Sequence, residues 1–146
     1  MKVVGQRSFV VVGSTVLVVN EKGQLLLQHK KEGKWCLPGS LMELGETLED
    51  TARRAVYEEA GLVIGNLQML GVYSGKNYIF RFDDENEGYA VTAVYVTRDI
   101  LGEIKENAEI NQARYFDFTK LPENIESEDQ NYIEAYLKQT LPSVTH

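Results

Sequence analysis

An α/β fold of the α+β kind, a mixed sheet carrying two helices, is predicted by three observations. β-Branched and aromatic segments of strand length recur along the 146-residue chain, an apolar i, i+4 stripe begins near Thr47, and a second helical stripe lies near the end. Ser8 to Val12 and Thr15 to Val19 read as strand, with Gly13 between them as a candidate bulge. Asn20-Glu21-Lys22-Gly23 is a turn signal and Gln24 to His29 resumes the apolar run, so a β-hairpin is the simplest arrangement. Gly33 to Gly39 reads as a loop or short strand ending at Pro38-Gly39. Leu48, Ala52, Val56 and Ala60 then share one face of a helix over 48–60, with Thr47 as N-cap, Asp50 completing a capping box and Gly61 as the stop. Leu67 to Tyr73, Tyr78 to Phe82, Tyr89 to Thr97 and Arg114 to Phe118 read as further strands. Asp129 to Gln139, with Ile133, Tyr136 and Leu137 at helical spacing, reads as a second helix lying on the sheet. No repeat or linker divides the chain, so a single domain over 1–146 is expected.

The composition narrows the function. Net charge is −7, from 22 acidic and 15 basic residues, which argues against broad binding to a nucleic-acid backbone. A phosphate-bearing substrate would then need metal ions as mediators. The apolar run from Phe9 to Val19 is interrupted at Gly13, Ser14 and Thr15 and falls short of the roughly 20 residues that span a bilayer. Met1 to Arg7 has none of the features of a signal peptide, so no membrane association and a cytoplasmic location are expected. Cys36 is the single cysteine; it can form no intrachain disulfide and reads as a small buried hydrophobe.

The stretch from Gly39 to Leu62 runs Gly-Ser-Leu-Met-Glu-Leu-Gly-Glu, then 47–53, then Arg-Ala-Val-Tyr-Glu-Glu-Ala-Gly-Leu. It resembles the Nudix box, whose pattern is Gly, five residues, Glu, seven residues, Arg-Glu-aliphatic-any-Glu-Glu-any-Gly-aliphatic. Glu46, Arg54, Val56, Glu58, Glu59, Gly61 and Leu62 match. Ser40 stands at the opening Gly, and Ala55 stands where the box has Glu. Trp35-Cys36-Leu37-Pro38-Gly39 is similar to the Trp-x-Leu-Pro-Gly lead-in of that family.

The resemblance implies a Nudix-like α/β/α sandwich with a mixed central sheet. It also implies a metal-dependent hydrolase that cleaves the pyrophosphate linkage of a nucleoside diphosphate joined to another moiety, with ADP-ribose-like and nucleoside triphosphate substrates both in the class. Helix geometry agrees, because three- and four-residue steps bring 55, 58 and 59 to one face, where adjacent carboxylates suit Mg²⁺ or Mn²⁺. Glu58 and Glu59 are therefore the expected metal ligands, joined by the Gly39 carbonyl through the resemblance. The same likeness gives Arg54 and Glu46 a shared structural role, the Arg pairing with the Glu to hold the loop against the helix. It also suggests one more acid from a late loop: Glu109, with Glu106 as runner-up. Selectivity would come from outside the box, with Tyr73, Tyr78, Phe80 and Tyr95 as candidate rings to stack on a base, although sheet core is the commoner role for each.

Ala55 removes a ligand and, in some family members, the general base. Three explanations stay open: relocation of the base, a Nudix-like protein that binds ligand without turnover, or an introduced Glu-to-Ala replacement, which we weigh highest because a lone methyl in an otherwise intact site looks like an inactivating change. The leading expectation is thus a hydrolase impaired at Ala55. The alternative is a non-catalytic nucleotide-binding sensor or partner-binding module, and a weaker third is a nucleic-acid cap or end-processing enzyme. The expected partner is a nucleotide-type small molecule, and the sequence leaves a homodimer open.

Overall fold

The computed structural model describes residues 8–30, 33–81, 87–104 and 112–140. Its strands are β1 (Ser8–Val18), β2 (Leu25–His29), β3 (Trp35–Cys36), β4 (Gly39–Leu41), β5 (Val63–Ile64), β6 (Gln68–Tyr73), β7 (Ile79–Arg81), β8 (Glu87–Thr97), β9 (Ile100–Leu101) and β10 (Gln112–Phe116). Helix α1 spans Leu48–Ala60 and helix α2 spans Ser127–Thr140. The largest sheet is mixed. β1 and β8 run parallel along their full lengths, β4 is antiparallel on the other edge of β1, and β8 pairs antiparallel with β6 and β7. A second sheet, β10-β2-β3, and a small β5-β9 ladder complete the pairing.

Strand alternation sorts the core into two layers. Val16 and Val18 of β1, Leu26 of β2 and Ala93 and Tyr95 of β8 face α1, packing on Ala52, Val56 and Ala60. Leu17, Val19, Leu25, Leu27 and Val94 point the other way and pack on Ile125, Tyr132, Ile133 and Tyr136 at α2. Sheet residues therefore bury both faces between helices, the α/β/α sandwich expected. Among the described residues no helix is long and apolar enough to cross a membrane.

Helix α1 has the expected bounds, because both ends are set locally. The Asp50 N–H donates to Thr47 Oγ1 at 3.0 Å and the Thr47 N–H donates back to Asp50 Oδ2 at 3.1 Å. Gly61 ends it in the left-handed region (φ 72°), its N–H donating to the Tyr57 carbonyl at 2.9 Å. Helix α2 begins two residues before the predicted Asp129, at Ser127.

Two expectations are corrected. The turn at Asn20 forms, with the Gly23 N–H donating to the Asn20 carbonyl at 2.9 Å, but only a single bridge, Val19 to Leu25, follows it. β2 pairs with β10 and β3 instead of forming a hairpin with β1, because both edges of β1 are already occupied by β4 and β8. Gly13 is not a bulge: β1 keeps unbroken register with both neighbours. It serves close approach, since a Cβ there would sit 2.5 Å from the Ser40 carbonyl oxygen. Gly13→Ala must push β4 away from β1 and should cost about 1–3 kcal/mol, as other overpacked sites do. Urea unfolding checks this, and an unchanged midpoint would show that the two strands do not need a glycine there.

Candidate functional site

The segment between β4 and α1 is organised by one side chain. Arg54, in the second turn of α1, donates from Nε to Glu46 Oε2 at 2.7 Å and from Nη2 to Glu46 Oε1 at 2.9 Å, a two-pronged pairing that a guanidinium makes and an ammonium cannot. Nη2 also donates to the Leu41 carbonyl at 2.9 Å, and Nη1 to Ser40 Oγ at 3.3 Å. Glu46 in turn accepts from the Glu43 N–H at 2.9 Å and from Thr51 Oγ1 at 2.8 Å. The Arg54 hydrogen bonds, aided by that Glu43 N–H, hold the Glu46 carboxyl down at about 2, and Arg54 is raised in return, so the pair stays charged at any ordinary pH. This pairing ties the helix to the incoming strand end.

At Gly39 the backbone comes so close to β1 that a Cβ would lie 2.8 Å from Thr15 Oγ1 and 3.0 Å from the Ser14 carbonyl oxygen. Its N–H donates to Glu59 Oε1 at 3.3 Å, and the same oxygen accepts from Gln28 Nε2 of β2. Burial pushes the Glu59 carboxyl above its ordinary value, against the pull of the Gln28 and Gly39 hydrogen bonds and of Lys30. The face expected to carry three positions in common is divided. Glu59 turns inward to Gly39, whereas Glu58 is 57% exposed and lies 3.3 Å from Arg54 Nη1. Ala55 is fully buried, one turn before Glu59 on the stripe that includes Thr51. A methyl group thus stands where an acid would complete the set.

Beside Gly39 and Ser40 opens a cleft of about 250 Å³ on the α2 side of the sheet, lined among others by Lys30, Cys36, Tyr78, Asp129 and Tyr132. Asp129 comes from the first turn of α2, and its Oδ2 accepts the Leu37 N–H at 3.0 Å. Burial, with Glu128 and Glu126 nearby, pushes its carboxyl up to about 7 in spite of that hydrogen bond. Burial works against the Lys30 ammonium as well, but Cys36 and the acids Glu59, Asp129 and Glu126 outweigh it and raise its pKa. Burial sends the Cys36 thiol up to about 12, the inert buried cysteine that was expected.

The candidate rings do not all gather at the cleft. Tyr78 lines it and lies parallel to Tyr132, with 6.2 Å between centroids, and Tyr73 packs on Tyr132 at 4.8 Å. Tyr95 is 3% exposed in the core on the opposite, α1-facing side of the sheet, away from this cleft. Phe80 lies in β7, in register with Gly88 of β8. Glu106 and Glu109 lie outside the described residues. Gln28, Lys30, Asp129 and Tyr132 were not singled out from the sequence. The only local signal for any of them was the acidic first turn of α2, which a helix dipole alone explains.

Among the described residues no three His, Cys, Asp or Glu side chains converge on a point that could hold a metal ion. Glu59 meets the Gly39 N–H, while Glu58, beside it in sequence, lies against Arg54 and is largely exposed. Two carboxylates with a nearby backbone oxygen are hard donors of the kind that would suit Mg²⁺ with substrate phosphates completing its shell.

The family model of the NUDIX domain matches residues 10–136, and the chain belongs to the Nudix family. It is 29% identical over 125 residues to the ADP-ribose pyrophosphatase of Methanocaldococcus jannaschii, covering 83% of this chain and 70% of that protein. It is 34% identical over 112 residues to the oxidized purine nucleoside triphosphate hydrolase of Danio rerio, covering 74% and 67% respectively. In fold it is similar to a MutT NUDIX hydrolase from Burkholderia pseudomallei, with a TM-score of 0.73 at 24% identity over 86% of this chain and 97% of that one.

Asp129 carries a pH signature. Its pKa is higher in the folded protein than in an unfolded chain, so the stability gained from its neutral form is complete below about pH 4 and is lost as pH rises through about 7. The thermal midpoint of the protein should therefore decline over that window, and Asp129→Asn, which cannot ionise, should flatten this part of the profile. Parallel profiles for the two proteins between pH 4 and 8 would contradict the shifted carboxyl.

Proposed function

We propose that the chain is a metal-dependent pyrophosphohydrolase of nucleoside diphosphate-linked substrates whose turnover is held low by Ala55. The observation that carries this reading is the Arg54–Glu46 clamp, which fixes Ser40 and Leu41 next to Gly39, whose N–H reaches Glu59. The named activities of two relatives, an ADP-ribose pyrophosphatase and an oxidized purine nucleoside triphosphate hydrolase, support the same substrate class. The cleft beside Gly39 takes the nucleoside part, with the Tyr78 ring as one wall and Lys30 and Asp129 as polar partners. Glu58, Glu59 and the Gly39 carbonyl would hold Mg²⁺ or Mn²⁺, which when bound neutralises phosphate charge and makes water a better nucleophile. Arg54 holds the site together, its donors going to Glu46, Leu41, Ser40 and the Glu58 carboxylate. The missing carboxylate at 55 favours a second reading, a nucleotide-binding protein without turnover on the same fold.

Two measurements test these readings. Replacing both Glu58 and Glu59 with Gln should weaken Mn²⁺ or Mg²⁺ binding in a calorimetric titration while circular dichroism stays unchanged. Equal affinity in the double variant would remove both residues from the metal site. Ala55→Glu places a carboxylate one turn before Glu59. General-base contributions are about 10²- to 10⁴-fold, so turnover should rise by more than roughly tenfold on a substrate among ADP-ribose, dinucleoside polyphosphates, nucleotide sugars and nucleoside triphosphates. If the folded, Mg²⁺-binding variant hydrolyses none of them, the hydrolase reading gives way to the binding protein.

A further inference from the structure

β2 carries a buried polar residue that the Nudix box does not contain. Gln28 is 2% exposed and follows Leu25, Leu26 and Leu27, all fully buried. Strand alternation puts it on the same face as Leu26, which packs in the α1-side core. A buried amide is costly unless it is hydrogen-bonded, so a glutamine at this position needs a partner. The partner is the carboxylate of Glu59, 31 residues away, whose Oε1 accepts from Gln28 Nε2. Gln28 is also in register with Cys36 across the β2–β3 ladder.

The consequence lies in how the two carboxylate oxygens are used. Oε1 accepts from both Gln28 Nε2 and the Gly39 N–H, whereas among the described residues Oε2 accepts no hydrogen bond. Two donors from different elements, one a side chain of β2 and one the backbone of β4, therefore decide which oxygen is tied down. A long, flexible glutamate at the end of a helix would otherwise sample several rotamers.

We infer that Gln28 is a positioning residue for the phosphate chemistry, holding Glu59 so that Oε2 is presented at the candidate site. It rests on the reading of Glu59 as a cation ligand. Partners one step removed from a ligand commonly influence metal affinity by about 10- to 100-fold when removed.

The test uses Mn²⁺ alone, titrated into the substrate-free protein and followed by the electron paramagnetic resonance signal of the free ion. Gln28→Met keeps the length and burial of the side chain and removes the donor. It should lower Mn²⁺ affinity by about tenfold or more with the thermal midpoint changed little. Gln28→Leu, apolar and likewise without a donor, is the second variant if Gln28→Met does not fold. Either substitution made together with Glu59→Gln forms a double-mutant cycle. Positioning through Glu59 requires that the Gln28 change have no further effect once Glu59 is replaced. Full affinity in Gln28→Met, or a loss that simply adds to that of Glu59→Gln, would overturn the inference. Unchanged affinity in Glu59→Gln by itself would instead show that the ligand reading is wrong, and the role of Gln28 would fall with it.

Discussion

The site depends on a single guanidinium. Arg54 distributes its donors over a carboxylate eight residues earlier, a backbone carbonyl at the end of β4 and the hydroxyl of Ser40. Ser40 and Leu41 are placed by the pairing of β4 with β1, whereas Glu46 lies in the loop from Met42 to Thr47 and has no such pairing. Besides the clamp, the Gly39 N–H donating to Glu59 also bonds β4 to the helix. The pair is also robust: a carboxyl held at about 2 and a guanidinium that does not deprotonate leave no pH between acid and base extremes at which it lets go.

From that clamp the rest of the corner follows by close packing. β4 lies against β1 at two glycines, Gly13 and Gly39, each where a Cβ would meet neighbouring atoms at 3.0 Å or less. The short separation lets the Gly39 N–H reach Glu59 on α1. On the other face, α2 is tied to the same region by Asp129, whose carboxylate accepts from Leu37, two residues before Gly39. The turn between β3 and β4 thus has one acid on each side, Glu59 from α1 and Asp129 from α2. Lys30 senses both charges. Burial raises both acids, so this corner concentrates titratable groups where a charged ligand or cation would change their balance.

The division of labour between the faces explains why some aromatic candidates collect and one does not. Tyr73 and Tyr78 join Tyr132 on the α2 side, where the cleft opens. Tyr95, in the neighbouring strand and equally aromatic, belongs to the α1 side and fills core. Position parity along β8 made that difference. It could be assigned only once the pairing of β8 with β1 showed which face each residue occupies.

What the sequence alone determined was local. Helix α1 and both its caps, the Asn20 turn and most strand segments were legible because their signals lie within a few residues, in capping partners three apart and in apolar periodicity. The box spacing likewise announced Glu46, Arg54, Glu58 and Glu59 as one group. The tertiary structure decided what depends on distant pairing. β2 left the expected hairpin because the edges of β1 were taken by strands from elsewhere in the chain. β5 and β9, two residues each, are too short to show any period and exist through their mutual pairing. Gln28 reached Glu59 across 31 positions and Asp129 reached Leu37 across 92, distances over which no local propensity acts. A buried glutamine after three leucines and an acid at a helix start look ordinary in one dimension. Their contacts arise only where packing removes water and brings polar atoms distant in sequence within hydrogen-bond reach.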